Sequence, residues 1–153
     1  MARARSPRIR TRREPDLALL DRWRPRTDRS FVVRVVAATL ARVRRCLPVS
    51  ILLCGEAEIA ALHGRHLGDP SPTDVLAFEL DGGVELAVSV ERARREARRR
   101  GTTIRAELAL YIVHGILHAC GFDDTTRRAR SRMRAAEATI MRGLALAYAP
   151  VDE

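Results

Sequence analysis

Two histidines four residues apart carry the clearest chemical signal in the sequence. His114 and His118 lie in an apolar stretch with helical character. Four residues is just over one helical turn, so both imidazoles leave the same helix face with Cβ atoms roughly 6 Å apart. Gly121 can adopt the left-handed conformation that ends a helix, which lets Asp124 return to the same face. We therefore predict that His114, His118 and Asp124 hold one Zn²⁺ per chain.

The donor set is typical of catalytic zinc, because three nitrogen and oxygen ligands leave one position open for water. Zinc peptidases with the His-Glu-x-x-His motif use the glutamate as general base, but Gly115 stands at that position here. A peptidase is therefore disfavoured. Phosphodiester hydrolysis requires only that the metal polarise a phosphoryl oxygen and activate its water. Beyond that water, the motif identifies no catalytic group.

The charge of the chain favours a phosphate-rich partner. The 28 basic residues are all arginine and outnumber 19 acidic residues, which gives a net charge of +9. Guanidinium groups bind phosphate in a bidentate manner, although charge alone does not separate RNA from DNA or from an acidic protein. The densest arginine run lies on a helix predicted over Glu91–Arg100. We predict RNA contacts on this helix from Arg92, Arg95, Arg98 and Arg99.

Apolar runs and cysteines indicate the cellular setting. No uncharged apolar run approaches 18 residues, so we expect no membrane span. The three cysteines are odd in number and match no zinc ribbon, and the first residues do not resemble a signal peptide. We therefore expect a cytoplasmic protein. The sequence does not indicate its oligomeric state.

Hydrophobic periodicity predicts an α+β fold in one domain, with a small mixed β-sheet packed with several helices and a central histidine-bearing helix. A chain of 153 residues is long enough for one such core. We expect residues 1–27 to be a basic, flexible tail and residues 28–149 to be a single zinc-binding domain. The predicted strands are Val49–Cys54, Thr73–Leu80 and Val84–Val90; the predicted helices run from Asp28 toward Pro48 and over Glu56–Leu67, Glu91–Arg100, Ile104–Cys120 and Thr125–Tyr148.

Three segments, which follow one another along the chain in the family's order, resemble the YbeY family of bacterial endoribonucleases and ribosomal-RNA maturation factors. They are Pro72–Phe78 (Pro-Thr-Asp-Val-Leu-Ala-Phe), Glu107–Leu108 and His114–Asp123. The resemblance implies a zinc-dependent, single-strand-specific endoribonuclease of α+β fold. It further implies ribosomal RNA and the small ribosomal subunit as partners, in maturation of the small-subunit 3′ end and in ribosome quality control.

The chain departs from the family pattern at positions that bear on activity. The family's third metal histidine aligns with Asp124, and a functionally important family arginine aligns with Leu67. Arg65 is a candidate replacement for that arginine. Glu107 lies on the same helix stripe as the histidines and is a candidate to orient a ligand. These departures keep an alternative open, namely a non-catalytic, zinc-containing RNA-binding factor of ribosome assembly.

Overall fold

The computed structural model describes residues 13–150 and confirms the α+β class. Within that range, strands and helices follow one another with the bounds β1 Leu17–Asp21, α1 Arg29–Val43, β2 Val49–Cys54, α2 Glu56–Leu67, β3 Val75–Leu80, β4 Gly83–Ser89, α3 Val90–Arg100, α4 Ile104–Ala119 and α5 Arg127–Gly143. The predicted bounds of β2 and α2 are confirmed, and the other predicted elements are present with shifted ends.

The four strands form one mixed sheet in the order β1-β2-β4-β3. β1, β2 and β4 are parallel, and β3 is antiparallel to β4. The hairpin between β3 and β4 turns at Asp81 and Gly82, and Gly82 takes the positive φ of 75° that such a tight turn requires. β3 and β4 therefore form a β-hairpin.

Helices pack on both faces of the sheet, although α2 covers only part of its face and leaves Leu20 exposed. Alternate β2 residues point to opposite faces: Ile51 and Leu53 join the large core with α1, α4 and α5, whereas Cys54 joins a small core with Ile59 of α2. Helix α4 is buried along almost its whole length because it lies between the sheet and the neighbouring helices. The prediction of a central histidine-bearing helix is confirmed.

Two predicted helix ends are wrong. Helix α1 does not continue to Pro48, because Arg44 adopts a left-handed conformation with φ 54° and closes the helix after Val43. Helix α5 ends at Gly143 rather than at Tyr148, and Ala145 has φ 56° in the segment that follows. Ending α5 early lets the last described residues fold back against the core, where Tyr148 packs.

The prediction of a flexible tail over residues 1–27 is wrong for its described part; residues 1–12 lie outside the described residues. Leu17–Asp21 is strand β1 and pairs with β2 in parallel register, Leu17 opposite Val49. The Arg29 guanidinium also donates to the Leu17 carbonyl at 3.1 Å. The folded domain therefore begins before residue 28.

Candidate metal centre

The C-terminal end of α4 and the loop that follows bring the predicted ligands together. One ligand atom from each of His114, His118 and Asp124 lies within 4.8 Å of the other two. The imidazole rings are 4.5 Å apart between centroids and meet edge to face at 78°. Nε2 of His118 lies 3.5 Å from Oδ2 of Asp124. All three residues are partly buried, so the cluster is sheltered but open to a ligand.

This donor set fits zinc. Ligand atoms at ordinary zinc distances on a tetrahedral ion are about 3.4 Å apart, close to the separation between His118 and Asp124. Neutral imidazole and carboxylate are both common zinc ligands, and three of them leave one position open. The spacing and the ligand types of the cluster therefore fit one metal ion.

The loop after α4 is built so that Asp124 faces the histidines. Gly121 has φ 96°, and the amide of Phe122 donates to the Leu117 carbonyl, which closes the helix as predicted. Asp123 is used locally, because its Oδ1 accepts from both the amide and the hydroxyl of Thr125. These bonds hold the pKa of Asp123 below its usual value. Asp124, the next residue, is left to face the cluster.

A buried glutamate on α5, which the sequence reasoning missed, supports His114 from behind. Glu137 has only 2% exposure, and its Oε1 lies 2.5 Å from Nδ1 of His114. Its Oε2 accepts a hydrogen bond of 2.8 Å from the hydroxyl of Tyr148. When His114 is neutral, a proton on Nδ1 donates to Glu137 and leaves the Nε2 lone pair for a metal. The only sign of this contact in the sequence is that Glu137 falls among the apolar positions of α5.

Electrostatics around His114 favour positive charge. Burial lowers the pKa of His114, but the hydrogen bond and charge of Glu137, with the charges of Asp74 and Asp124, outweigh it and leave the pKa above its ordinary value. Burial and the Glu137 hydrogen bond raise the pKa of Tyr148, so its hydroxyl remains a donor. The site therefore offers a cation an environment already arranged around negative charge.

The glycine at position 115 matters for the packing of α4 as well as for the chemistry of the site. A Cβ at this position would lie 2.8 Å from Cδ2 of Leu86 and 3.0 Å from Cγ2 of Val75, so α4 could not pack this closely on the sheet. A glutamate here would have to enter the packed core. The general base of the zinc peptidases is therefore absent from the sequence, and a side chain at this position would have to displace Leu86 and Val75.

The two other candidate side chains lie apart from the cluster. Glu107 is buried near the start of α4, where its carboxylate accepts from Arg100 at 3.2 Å and from the Thr102 hydroxyl at 2.6 Å. The structure thus assigns the contact with His114 to Glu137 and not to Glu107. Arg65 is exposed on α2, and within residues 13–150 the hydrogen bonds and ion pairs of the cluster do not include it.

The predicted RNA-binding arginines lie on α3, and three of them contact carboxylates. Arg95 donates to Glu56 at 2.8 Å, Arg99 donates to Glu96 at 2.8 Å, and Arg92 lies 4.0 Å from Glu56. Arg98 instead lines a groove beside α4. RNA binding by these four residues stays a prediction.

Comparison with known proteins identifies the family. The family model described as Endoribonuclease YbeY matches residues 24–145, a range that contains the whole histidine cluster and Glu137. The chain belongs to the YbeY family. The match begins well before Pro72, where the motif resemblance starts, and so takes in α1 as well as the loop before it.

Two similar YbeY proteins show the extent of the likeness. A protein named Endoribonuclease YbeY from Acidothermus cellulolyticus is 34% identical over 120 residues, covering 65% of this chain and 72% of the relative. One of the same name from Anaeromyxobacter is 33% identical over 132 residues, covering 82% of this chain and 69% of the relative. The solution structure of TM1509 from Thermotoga maritima has a TM-score of 0.60 at 23% identity, covering 84% and 91% of the two chains. That structure supports the fold.

Two further observations bear on the setting of the protein. Cys46, Cys54 and Cys120 are all free thiols, and none belongs to the histidine cluster. Among the helices of residues 13–150, none combines the length and the apolar character that crossing a bilayer requires.

Proposed function

We propose that this chain is a zinc-dependent endoribonuclease that cleaves single-stranded RNA. The observation that carries the proposal is the convergence of His114, His118 and Asp124, supported by Glu137, at the end of the central helix of a YbeY-family fold. Relatives named Endoribonuclease YbeY support the reaction class.

Each side chain of the cluster has a defined part. Glu137 accepts a hydrogen bond from Nδ1–H of His114 and so leaves Nε2, on the far side of the neutral ring, as the nitrogen that can bind a metal. His118 and Asp124 complete the donor set. A bound zinc would supply a Lewis acid for a phosphoryl oxygen and would lower the pKa of water at its open position. The arginine-rich surface, part of a net charge of +9, would hold the phosphodiester backbone nearby.

We extend the proposal to the natural substrate and setting. Resemblance to the YbeY family favours ribosomal RNA, with maturation of the small-subunit 3′ end and ribosome quality control as the processes. The small ribosomal subunit is then the partner, and the cytoplasm is the compartment. Three free thiols in one short chain are consistent with a reducing environment.

Cleavage of a small-subunit 3′-end RNA fragment tests the proposal. The zinc-loaded protein should cut the single-stranded fragment, and cutting should stop when a chelator removes the metal or when the fragment is annealed to its complement. His118→Ala should lose cleavage because it removes a ligand. His66→Ala is the matched control, because His66 is exposed on α2 and contacts Phe78 rather than the cluster. Equal cutting by both variants, or cutting unaffected by chelation, would refute the proposal.

The alternative is a non-catalytic, zinc-containing RNA-binding factor of ribosome assembly. It is favoured by Asp124, where the family pattern has a histidine, and by Leu67, which is 60% exposed where the pattern has an arginine. This alternative predicts that the zinc-loaded wild type binds RNA but cuts it no faster than a mock preparation. Asp124→His with Leu67→Arg would then be the first changes to restore cutting.

A further inference from the structure

A groove of about 640 Å³ lies along the N-terminal half of α4, away from the histidines. Its walls are the segment between β1 and α1, the first turn of α1, and helix α3. The floor is apolar and buried, formed by Phe31, Val90, Ala97 and Leu108. Such a volume is in the range of about 300–1,000 Å³ typical of ligand sites.

The rim of the groove is strongly basic. Exposed guanidinium groups come from Arg26, Arg94, Arg98 and Arg105, and Asp28 is the one carboxylate among the described lining residues. Asp28 caps α1, because its Oδ1 accepts from the amide and the hydroxyl of Ser30 at 3.0 and 2.8 Å. The Asp28 carboxylate is therefore engaged by the first turn of α1. The groove as a whole presents an excess of positive charge.

Helix α3 separates its arginines into two pairs with different surroundings. Arg95 and Arg99 are engaged by Glu56 and Glu96. Arg94 and Arg98 precede them by one residue each, which turns them about 100° around the helix and into the groove. No hydrogen bond or ion pair joins Arg94 or Arg98 to another residue within residues 13–150. Two guanidinium groups with no carboxylate partner among the described residues thus lie one turn apart along the rim.

Planar groups stand between the basic rim and the apolar floor. The half-buried indole of Trp23 lines the groove, and the Arg105 guanidinium lies over the Phe31 ring, 4.2 Å from its centroid. Stacking on Phe31 holds the guanidinium in place, and both indole and guanidinium planes are surfaces on which nucleobases stack. An apolar floor, planar side groups and a basic rim together match single-stranded nucleic acid.

We propose that this groove binds single-stranded RNA, with phosphates at Arg94 and Arg98 and a base against Trp23. The inference rests on the proposed function and adds a second contact region for the same substrate. The groove residues of α4 and the histidines are about ten residues apart, or about 15 Å along the helix. A short single strand can span that distance. A second copy of a chain with charge +9 is a poor occupant for so basic a rim.

Binding of a labelled single-stranded oligouridylate, followed by fluorescence anisotropy over a range of salt, tests the groove. Arg94→Gln/Arg98→Gln should weaken binding roughly tenfold or more in about 0.1 M salt and flatten the salt slope by about 1.4, because each phosphate contact on a single strand contributes about 0.7. Arg95→Gln/Arg99→Gln is the matched comparison, with the same charge change on the same helix, and should lose less, because Glu56 and Glu96 already engage these two guanidinium groups and make them weaker phosphate contacts than Arg94 and Arg98. Equal losses in the two double variants would overturn the proposal, because net charge alone would then explain binding.

Trp23 provides a direct readout, because it is the single tryptophan of the chain. The oligouridylate should change tryptophan emission with the same midpoint as the anisotropy, and Arg94→Gln/Arg98→Gln should shift both midpoints together. RNA binding that leaves the emission unchanged would place RNA elsewhere. A polyglutamate peptide that displaces the oligonucleotide and binds more tightly would instead assign the groove to an acidic protein partner.

Cleavage separates failure of this inference from failure of the proposed function. If the wild type cuts RNA while both double variants bind and cut as the wild type does, the groove inference is overturned and the nuclease assignment stands. If the wild type binds RNA through the groove but cuts none, the groove inference stands and the nuclease assignment is overturned.

Discussion

Asp124 places an anionic ligand in a cluster whose other members are imidazoles. A carboxylate donates more charge than a neutral imidazole and so reduces the Lewis acidity of a bound metal, while it still serves as an ordinary zinc ligand. Its position 3.5 Å from Nε2 of His118 is consistent with a shared ion. With Asp124 as the third ligand, we therefore expect the site to bind a metal and the bound metal to be a weaker Lewis acid than it would be with three imidazoles.

Replacing Asp124 tests its role as a ligand. Asp124→Ala should weaken zinc binding roughly tenfold or more, whereas Asp124→His should retain it, because an imidazole can complete the same donor set. Competition with a chromophoric chelator measures both affinities. Asp123→Asn is the neighbouring control and should bind zinc as the wild type does, since its amide oxygen can still accept from Thr125. Zinc loss in Asp123→Asn but not in Asp124→Ala would show that the loop is assigned one residue out of register.

The contact between Glu137 and His114 predicts a difference between two buried glutamates. Glu137→Gln should lower zinc affinity about tenfold, because the partner that orients His114 and raises its basicity loses its charge. Glu107→Gln should leave zinc affinity unchanged, because Glu107 is equally buried but contacts Arg100 and Thr102. Chelator competition on both variants provides the comparison. Equal affinities in the two variants would remove Glu137 from the support of the site.

At the scale of elements, α4 positions the site because it packs so closely on the sheet. Gly115 permits that approach, with Leu86 and Val75 against the space where a side chain would begin. Gly115→Ala should therefore destabilise the fold by about 1–3 kcal/mol through overpacking, measured by denaturant unfolding. Gly143→Ala, at the end of α5, meets no atom within 4 Å and should be neutral. A neutral Gly115→Ala would mean that the helix can withdraw from the sheet without cost.

Sequence patterns predicted the elements whose signals are local. The glycine and loop composition around α2, the short apolar run of β2 and the four-residue spacing of the histidines each depend on neighbours in the chain. β1 was missed because a five-residue edge strand has a weak pattern and obtains its hydrogen bonds from β2, about thirty residues later. The support of His114 was missed for a similar reason, because Glu137 lies on another helix and only folding brings the two together.

At the scale of the whole molecule, β1 and the segment after it belong to the domain. Asp21 holds that segment, since its two carboxylate oxygens accept from the amides of Trp23 and Thr27 at 3.0 and 2.7 Å. The loop then forms one wall of the basic groove. The same stretch that was expected to be a tail therefore supplies both an edge of the sheet and part of a proposed RNA contact.

Two truncations test this placement. A chain that begins at residue 28 should unfold roughly 10 °C lower than one that begins at residue 13, because it loses the burial of Leu17 and the pairing of β1 with β2. Thermal unfolding followed by circular dichroism measures the difference. Coincident transitions would show that β1 contributes nothing to stability and would restore the domain start at residue 28.

X-ray absorption at the zinc edge of the full chain, loaded with one equivalent of zinc, tests the metal centre most directly. We expect two imidazole nitrogens together with oxygen ligands at about 2.0–2.2 Å, and a spectrum that changes when single-stranded RNA is added. His114→Ala should lose one imidazole contribution. A sulfur ligand at about 2.3 Å, which would place zinc on Cys120 or another thiol, or a wild type that binds no zinc, would contradict the assignment of His114, His118 and Asp124.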